Sequence, residues 1–95
     1  MTVTDVAARQ RFELEHDGEL VGFIDYRLDD DSTVVMTHAE VFPRHGGQGF
    51  GSVMVRDALD AVRESGRSVV PRCSFVAAYI ARHPEYEDLR ATSQR

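Results

Sequence analysis

The feature that most constrains this chain is a change in the spacing of its apolar residues at Pro43. Before this proline the apolar residues follow strand-like patterns, with apolar and polar residues alternating at 11–16 as they do in half-buried strands. After it, the stretch PRHGGQGFGSVMV places four of the chain's seven glycines within six positions and continues into helical spacing. The fold therefore has to join a sheet to a helix through a glycine-rich loop.

Three segments before the loop are predicted to be strands, at residues 11–16, 19–28 and 33–42. Asp17 and Gly18 are typical of a hairpin turn between the first two, and residues 29–32 form a polar turn. The third segment is β-branched and apolar, which favours a central strand. Together the three predict an antiparallel meander.

Two helices and one strand are predicted after the loop. Val55, Ala58, Leu59 and Val62 have the spacing of an amphipathic helix of about four turns, and Gly66 is placed to cap its C-terminus.

Residues 67–71 predict a short strand, which a right-handed crossover would set parallel to the third strand. Ser74 is a candidate N-cap for a second helix at 75–83, which Pro84 ends. This helix is apolar on almost every side, so we expect it to be largely buried, with a short helical turn after it.

The predicted fold class is α/β with an α+β mixed sheet, in a single domain that spans residues 1–95. We expect a core at 9–88, with frayed ends at 1–8 and 89–95.

The composition argues against several classes of function. A net charge of −5 disfavours a general nucleic-acid role, and no apolar run approaches the ~18 residues of a membrane span. The single Cys73 cannot form an internal disulfide, and the first residues lack the features of a signal peptide. We therefore expect a soluble, cytoplasmic protein. A homodimer is possible for a sheet this small, and the oligomeric state stays open.

Residues 41–56 and 65–84 contain no acidic side chain, although the chain as a whole is acidic. Backbone amides of the glycine loop and the positive end of the following helix predict an anion site between these segments. The chain has no lysine, which excludes a Walker A loop, and the glycine spacing differs from the dinucleotide-binding fingerprint. Two alternatives stay open: a turn that only lets the helix pack on the sheet, and a site for another phosphorylated ligand.

The segment EVFPRHGGQGFGSVMVRDAL resembles the acetyl-CoA loop of the GNAT acetyltransferases. HAEV at 38–41 and VVPRCSFVAAYIARHPEY at 69–86 are similar to a minimal GNAT-like subfamily, and the resemblance covers most of the chain. It implies a truncated GNAT-like acyl-CoA N-acyltransferase fold that lacks the helices after the first strand. Two positions depart from the pattern: Gly46 replaces an Arg or Gln, which is expected to weaken phosphate binding, and Ala39 replaces a common Thr.

The resemblance also implies the cosubstrate, acetyl-CoA or CoA. The loop amides would hold the pyrophosphate, and the preceding strand would pair with the pantetheine arm. The implied cofactor-binding residues are Val41, Phe42, Arg44, Gly46, Gly47, Gln48, Gly49, Phe50, Gly51 and Ser52.

Acetyl transfer from a thioester to an amine needs a base, an oxyanion donor and a proton for the leaving thiolate. His38 and Glu40 share one face of the third predicted strand, so either is a candidate base, unless they form a structural pair. Cys73 could accept the acetyl group, line the pocket or simply pack. Tyr79 could protonate the thiolate or pack in the core. We exclude a zinc site because the chain offers too few ligands.

The sequence thus predicts an acetyl-CoA-dependent N-acetyltransferase for an unidentified amine, which could be a protein lysine, a polyamine or a small amine. The alternative is a non-catalytic CoA-binding module that acts as a sensor or partner subunit.

Overall fold

The computed structural model describes residues 1–30 and 32–91. Its strands and helices, in chain order, are β1 (Thr2–Val6), β2 (Arg11–His16), β3 (Glu19–Asp30), β4 (Thr33–Val41), α1 (Phe50–Glu64), β5 (Ser68–Pro71) and α2 (Ser74–Arg82). Short 3-10 turns lie at Ala7–Arg9, Pro43–His45 and Pro84–Leu89. No helix in the described ranges is long and apolar enough to cross a bilayer.

The strands form one mixed sheet in the order β1-β2-β3-β4-β5. Neighbouring strands from β1 to β4 are antiparallel, whereas β5 runs parallel to β4 after the crossover through α1. Asp17 and Gly18 both have positive φ angles, 54° and 77°, as a type I′ hairpin turn requires. The predicted mixed α+β fold class and the parallel crossover are confirmed.

The prediction of a frayed N-terminus is wrong, because β1 is an edge strand paired with β2 in register from Thr2 to Val6. Val3 packs against the core, and the Tyr26 hydroxyl donates a hydrogen bond to Asp5 at 2.6 Å. An edge strand needs few buried side chains, so the pattern of apolar residues at the N-terminus did not indicate a strand there. The meander therefore has four strands rather than three.

The predicted frayed end at 89–95 is also wrong where the structure describes it. Leu89 is buried, and the Ala91 amide donates to the Val69 carbonyl at 2.8 Å, along the outer edge of β5. The rest of that prediction, residues 92–95, lies outside the described residues.

The core lies between one face of the sheet and both helices. The α1 residues that face it follow the predicted helical spacing: Phe50, Met54, Val55, Ala58, Leu59 and Val62. At the end of α1, Gly66 has a φ of 77°, and the Arg67 amide donates to the Val62 carbonyl, which confirms the predicted glycine cap.

The second face of the sheet has no described helix packed on it, and its side chains are partly or fully exposed over much of β2, β3 and β4. Glu13, Phe23 and Glu40 lie across this face in register on the three strands. We call it the open face.

Helix α2 is less buried than its composition predicts, and this expectation is wrong. Only Val76, Tyr79 and Ile80 are buried, because α2 packs on its inner side alone. Its exposed side carries Ser74, Phe75, Ala78, Ala81 and Arg82, and Phe75 is 41% exposed. The helix also begins at Ser74 with Cys73 at the N-cap position, one residue earlier than predicted.

Candidate functional site

A cleft opens where β4 and β5 diverge. The two strands pair only from Thr33 to Met36 on β4, and the amides of Arg72 and Cys73 then both donate to the Met36 carbonyl, at 3.0 and 3.1 Å. Beyond this point β4 keeps β3 as its neighbour on one side, and its other edge has no strand partner among the described residues as far as Val41. The cleft beside this free edge has a volume of about 280 Å³.

A bulge in β4 decides which side chains face the cleft. Met36 pairs with Tyr26 and His38 pairs with Asp25, so Thr37 is an extra residue on β4. After the bulge, Ala39 and Val41 pack towards the helices. His38 therefore points to the open face, where its ring lies 5.9 Å from that of Phe23.

The glycine loop ends at the N-terminus of α1, as predicted. Gly47 and Gly49 have φ angles of 78° and 81°, a left-handed region that favours glycine, and a Cβ at either position would meet open space. No described group accepts a hydrogen bond from the amides of Gly49, Phe50, Gly51 and Ser52, and no side chain caps the helix. These amides and the helix dipole give the loop the character of an anion site.

One carboxylate reaches this loop, contrary to the expectation from the acid-free segment. Glu19, the first residue of β3, accepts a hydrogen bond from Arg44 through Oε2. The same oxygen lies 3.3 Å from Nε2 of His45. Sequence reasoning missed this contact because it joins residues 25 and 26 positions apart. Arg44 is therefore engaged by an acid rather than free beside the loop.

The cleft walls include seven of the predicted site residues and four others. The predicted ones are Glu40, Val41, Gly46, Gly47, Gly49, Phe50 and Gly51. The additional ones are Ala39, His45, Met54 and Phe75. The sequence patterns single out neither Met54 nor Phe75 for the site, because their position on the cleft wall appears only once α1, β4 and α2 are assembled.

Four predicted cofactor-binding residues do not line the cleft. Phe42 turns its ring towards Phe23 on the open face, at 6.1 Å, while its amide donates to the Val21 carbonyl. Arg44 is paired with Glu19, and Gln48 and Ser52 are exposed side chains of the loop and the first turn of α1. At Gln48 and Ser52 the loop could therefore offer a ligand backbone amides rather than side chains.

His38 and Glu40 form the pair that their spacing predicts. His38 Nε2 lies 3.2 Å from Glu40 Oε1, and both side chains are about half exposed. Glu40 also borders the cleft, whereas His38 does not. Of the two candidate bases, Glu40 is thus the one that touches both the cleft and the open face.

Cys73 and Tyr79 lie near the cleft but not on its walls. Cys73 is partly buried against the core at the start of α2. Tyr79 is buried, and its ring stacks on His83 at a centroid distance of 3.9 Å. Burial raises the pKa of Tyr79, although Arg56 acts in the opposite direction, so the phenol is protonated at neutral pH.

No three His, Cys, Asp or Glu side chains in the described residues are grouped as a metal site would require.

Comparison with solved structures identifies the fold. A GCN5-like protein from Staphylococcus aureus, 20% identical, matches with a TM-score of 0.71 over 99% of this chain and 91% of its own. The ribosomal-protein-alanine N-acetyltransferase of Brucella melitensis is 22% identical, with a TM-score of 0.59 over 90% of this chain and 63% of its own. A Mycobacterium tuberculosis protein solved with CoA is 23% identical, with the same TM-score over 82% and 49%.

The chain thus spans under two thirds of the length of the last two proteins. A comparison with curated proteins finds no match. A sequence model of the GCN5-related N-acetyltransferases matches residues 11–89, which cover β2 to the turn after α2. On this match, the chain belongs to the GCN5-related N-acetyltransferase family.

Proposed function

We propose that this chain is an acetyl-CoA-dependent N-acetyltransferase with a primary or secondary amine as acceptor. The main support for the proposal is that the unpaired edge of β4 and the amides of the glycine loop form one continuous site. The unpaired edge of β4 runs from the bulge at Thr37 to the glycine loop and leads to four amides without acceptors. A linear ligand with a pyrophosphate at one end and a thioester at the other fits this arrangement.

The residues present also suit the chemical character of CoA. Val41, Met54 and Phe75 give the cleft an apolar wall for the pantetheine arm. The β4 edge offers backbone donors and acceptors to the amides of that arm, as a neighbouring strand would. The loop amides offer donors to phosphate oxygens.

Acetyl-CoA would supply the acyl group and the thiolate leaving group. Glu40 is the proposed base, because this residue borders the cleft and its carboxylate lies beside His38 on the open face, from which an amine can approach. His38, 3.2 Å away, can orient Glu40 or share the proton. Cys73 and Tyr79 remain candidates for the region of the sulfur, with Tyr79 able to donate a proton because its phenol is protonated.

Calorimetric titration with acetyl-CoA tests the binding half of the proposal. We expect saturable one-to-one binding that CoA competes and ATP does not. No binding up to millimolar ligand would refute the proposal. Competition by ATP or NAD would favour the reading in which the loop serves another phosphorylated ligand.

A second candidate function is a CoA-binding module without catalysis. It is favoured by the position of Cys73 and Tyr79 away from the cleft walls, and by the departure at Gly46 from the family pattern. Release of free CoA thiol that depends on an added amine would separate the two functions. Tight binding without such release, across a panel of polyamines, lysine peptides and small amines, would support the module.

A further inference from the structure

Phe75 stands on the wall of the cleft in a position that packing of the protein alone does not explain. It lies in the first turn of α2, and it is 41% exposed although it borders the apolar part of the cleft. Leu28, at the far end of β3, has the same exposure and does not line this cleft. An aromatic ring left half exposed at a cleft is available to contact a ligand.

Gly51 accommodates this ring. A Cβ on Gly51 would lie 2.8 Å from Cζ and 3.2 Å from Cε2 of Phe75, and 3.7 Å from Cγ2 of Val41. Gly51 is not among the glycines with positive φ, and alanine is preferred to glycine inside a helix. The absence of a side chain at Gly51 is thus explained by the ring, which reaches from α2 to the first turn of α1.

We infer that Phe75 is a specificity-determining residue that holds the pantetheine arm of CoA against the free edge of β4. This inference rests on the proposed function and adds to it that different groups of the cleft bind different parts of CoA. The ring supplies the contact to the uncharged, amide-bearing arm, whereas the loop amides supply the contact to the phosphates. Phe75 therefore makes the site select ligands that carry the pantetheine arm over nucleotides that lack it.

The test compares CoA with adenosine 3′,5′-bisphosphate, which carries charged phosphates and lacks the arm. Phe75→Ala weakens CoA binding by about tenfold, the loss expected when a ligand gives up most of its contact with one ring. Binding of the bisphosphate stays within twofold of the unmodified protein. Leu28→Ala is the matched control, because it removes an equally exposed apolar side chain and leaves both affinities unchanged.

A second pair of variants tests the contact with Gly51. Gly51→Ala forces the ring from its position, so it weakens CoA binding in the same way without touching the loop amides of Gly47 or Gly49. The double variant Gly51→Ala/Phe75→Ala loses no more affinity than Phe75→Ala alone, because both changes remove one contact. Phe75→Leu keeps apolar bulk and is intermediate.

Two results overturn the inference while leaving the proposed function intact. One is a Phe75→Ala variant that binds CoA as tightly as the unmodified protein. The other is an equal loss of affinity for CoA and for the bisphosphate. This result would mean that Phe75 maintains the structure of the whole site and does not contact the pantetheine arm specifically. Failure of the unmodified protein to bind CoA instead refutes the proposed function itself, and this inference with it.

Discussion

Gly49 offers the sharpest test of the anion site, because it is the N-cap of α1 and sits among the amides without acceptors. We predict that Gly49→Glu abolishes CoA binding in a folded protein. Gly49 has a φ of 81°, and nothing lies within 4 Å of a Cβ built there. A substituted residue therefore meets backbone strain but no clash at its Cβ, and the strain costs about 1–2 kcal/mol.

The size of the binding effect follows from charge. A carboxylate about 5 Å from a phosphate charge, at an effective dielectric constant of about 20, is repelled by about 3 kcal/mol. Salt and solvent exposure lower this to about 2 kcal/mol, which corresponds to roughly a thirtyfold loss of affinity for each phosphate charge. Gly49→Gln has the same side-chain shape and the same backbone strain without the charge. The difference in CoA affinity between the two variants therefore measures the charge repulsion alone.

The assay is calorimetric titration with CoA, together with thermal unfolding of each variant. Gly66→Glu is the positional control, because Gly66 also has a positive φ and open space around its Cβ, but lies at the opposite end of α1. We expect Gly66→Glu to bind CoA normally. A folded Gly49→Glu variant that binds within threefold of Gly49→Gln would refute the assignment of the anion site.

Three further predictions follow from the site and the core. Cys73→Ala should stay folded, bind CoA and lower the transfer rate at least tenfold if the thiol takes part, whereas an unchanged rate would make Cys73 a packing residue. Glu19→Gln should raise CoA affinity about threefold at low salt, with the gain vanishing at high salt, because it removes a negative charge and frees Arg44; a salt-independent loss would instead show that Glu19 positions the loop. Burial and the hydrogen bond to Asp60 raise the pKa of Tyr86 to about 12, so its stabilisation is present below pH 10 and is lost as the pH rises towards 12. Tyr86→Phe should therefore lower the melting temperature by roughly 4–8 °C at pH 8, for a loss of about 1 kcal/mol, and by much less near pH 12; an equal difference at both values would contradict this assignment.

Local patterns in the sequence predicted most of the fold. The hairpin at Asp17 and Gly18, the helical spacing of α1 and its glycine cap at Gly66 all depend on neighbouring residues, and the structure confirms each. β1 was missed because an edge strand depends on pairing with β2 and buries little. The exposure of α2 was missed because composition does not say how many sides of a helix find a partner.

The site was predictable only where its parts are consecutive in the chain. The glycine loop and the pair formed by His38 and Glu40 are of this kind. Glu19 and Phe75 are not, because each reaches the site from a distant element and neither has a motif of its own. The cytoplasmic location and the homodimer remain predictions from the sequence.

The bulge at Thr37 makes the site depend on strand pairing as well as on residue type. If β4 kept Thr37 but lost the bulge, its pairing with β3 would slip by one residue, and its two faces would be exchanged beyond that point. His38 and Glu40 would then be driven into the apolar layer beneath α1, and Ala39 and Val41 would face outwards. Deletion of Thr37, by contrast, would keep Met36 and His38 opposite Tyr26 and Asp25, so every residue of the site would stay on its own face.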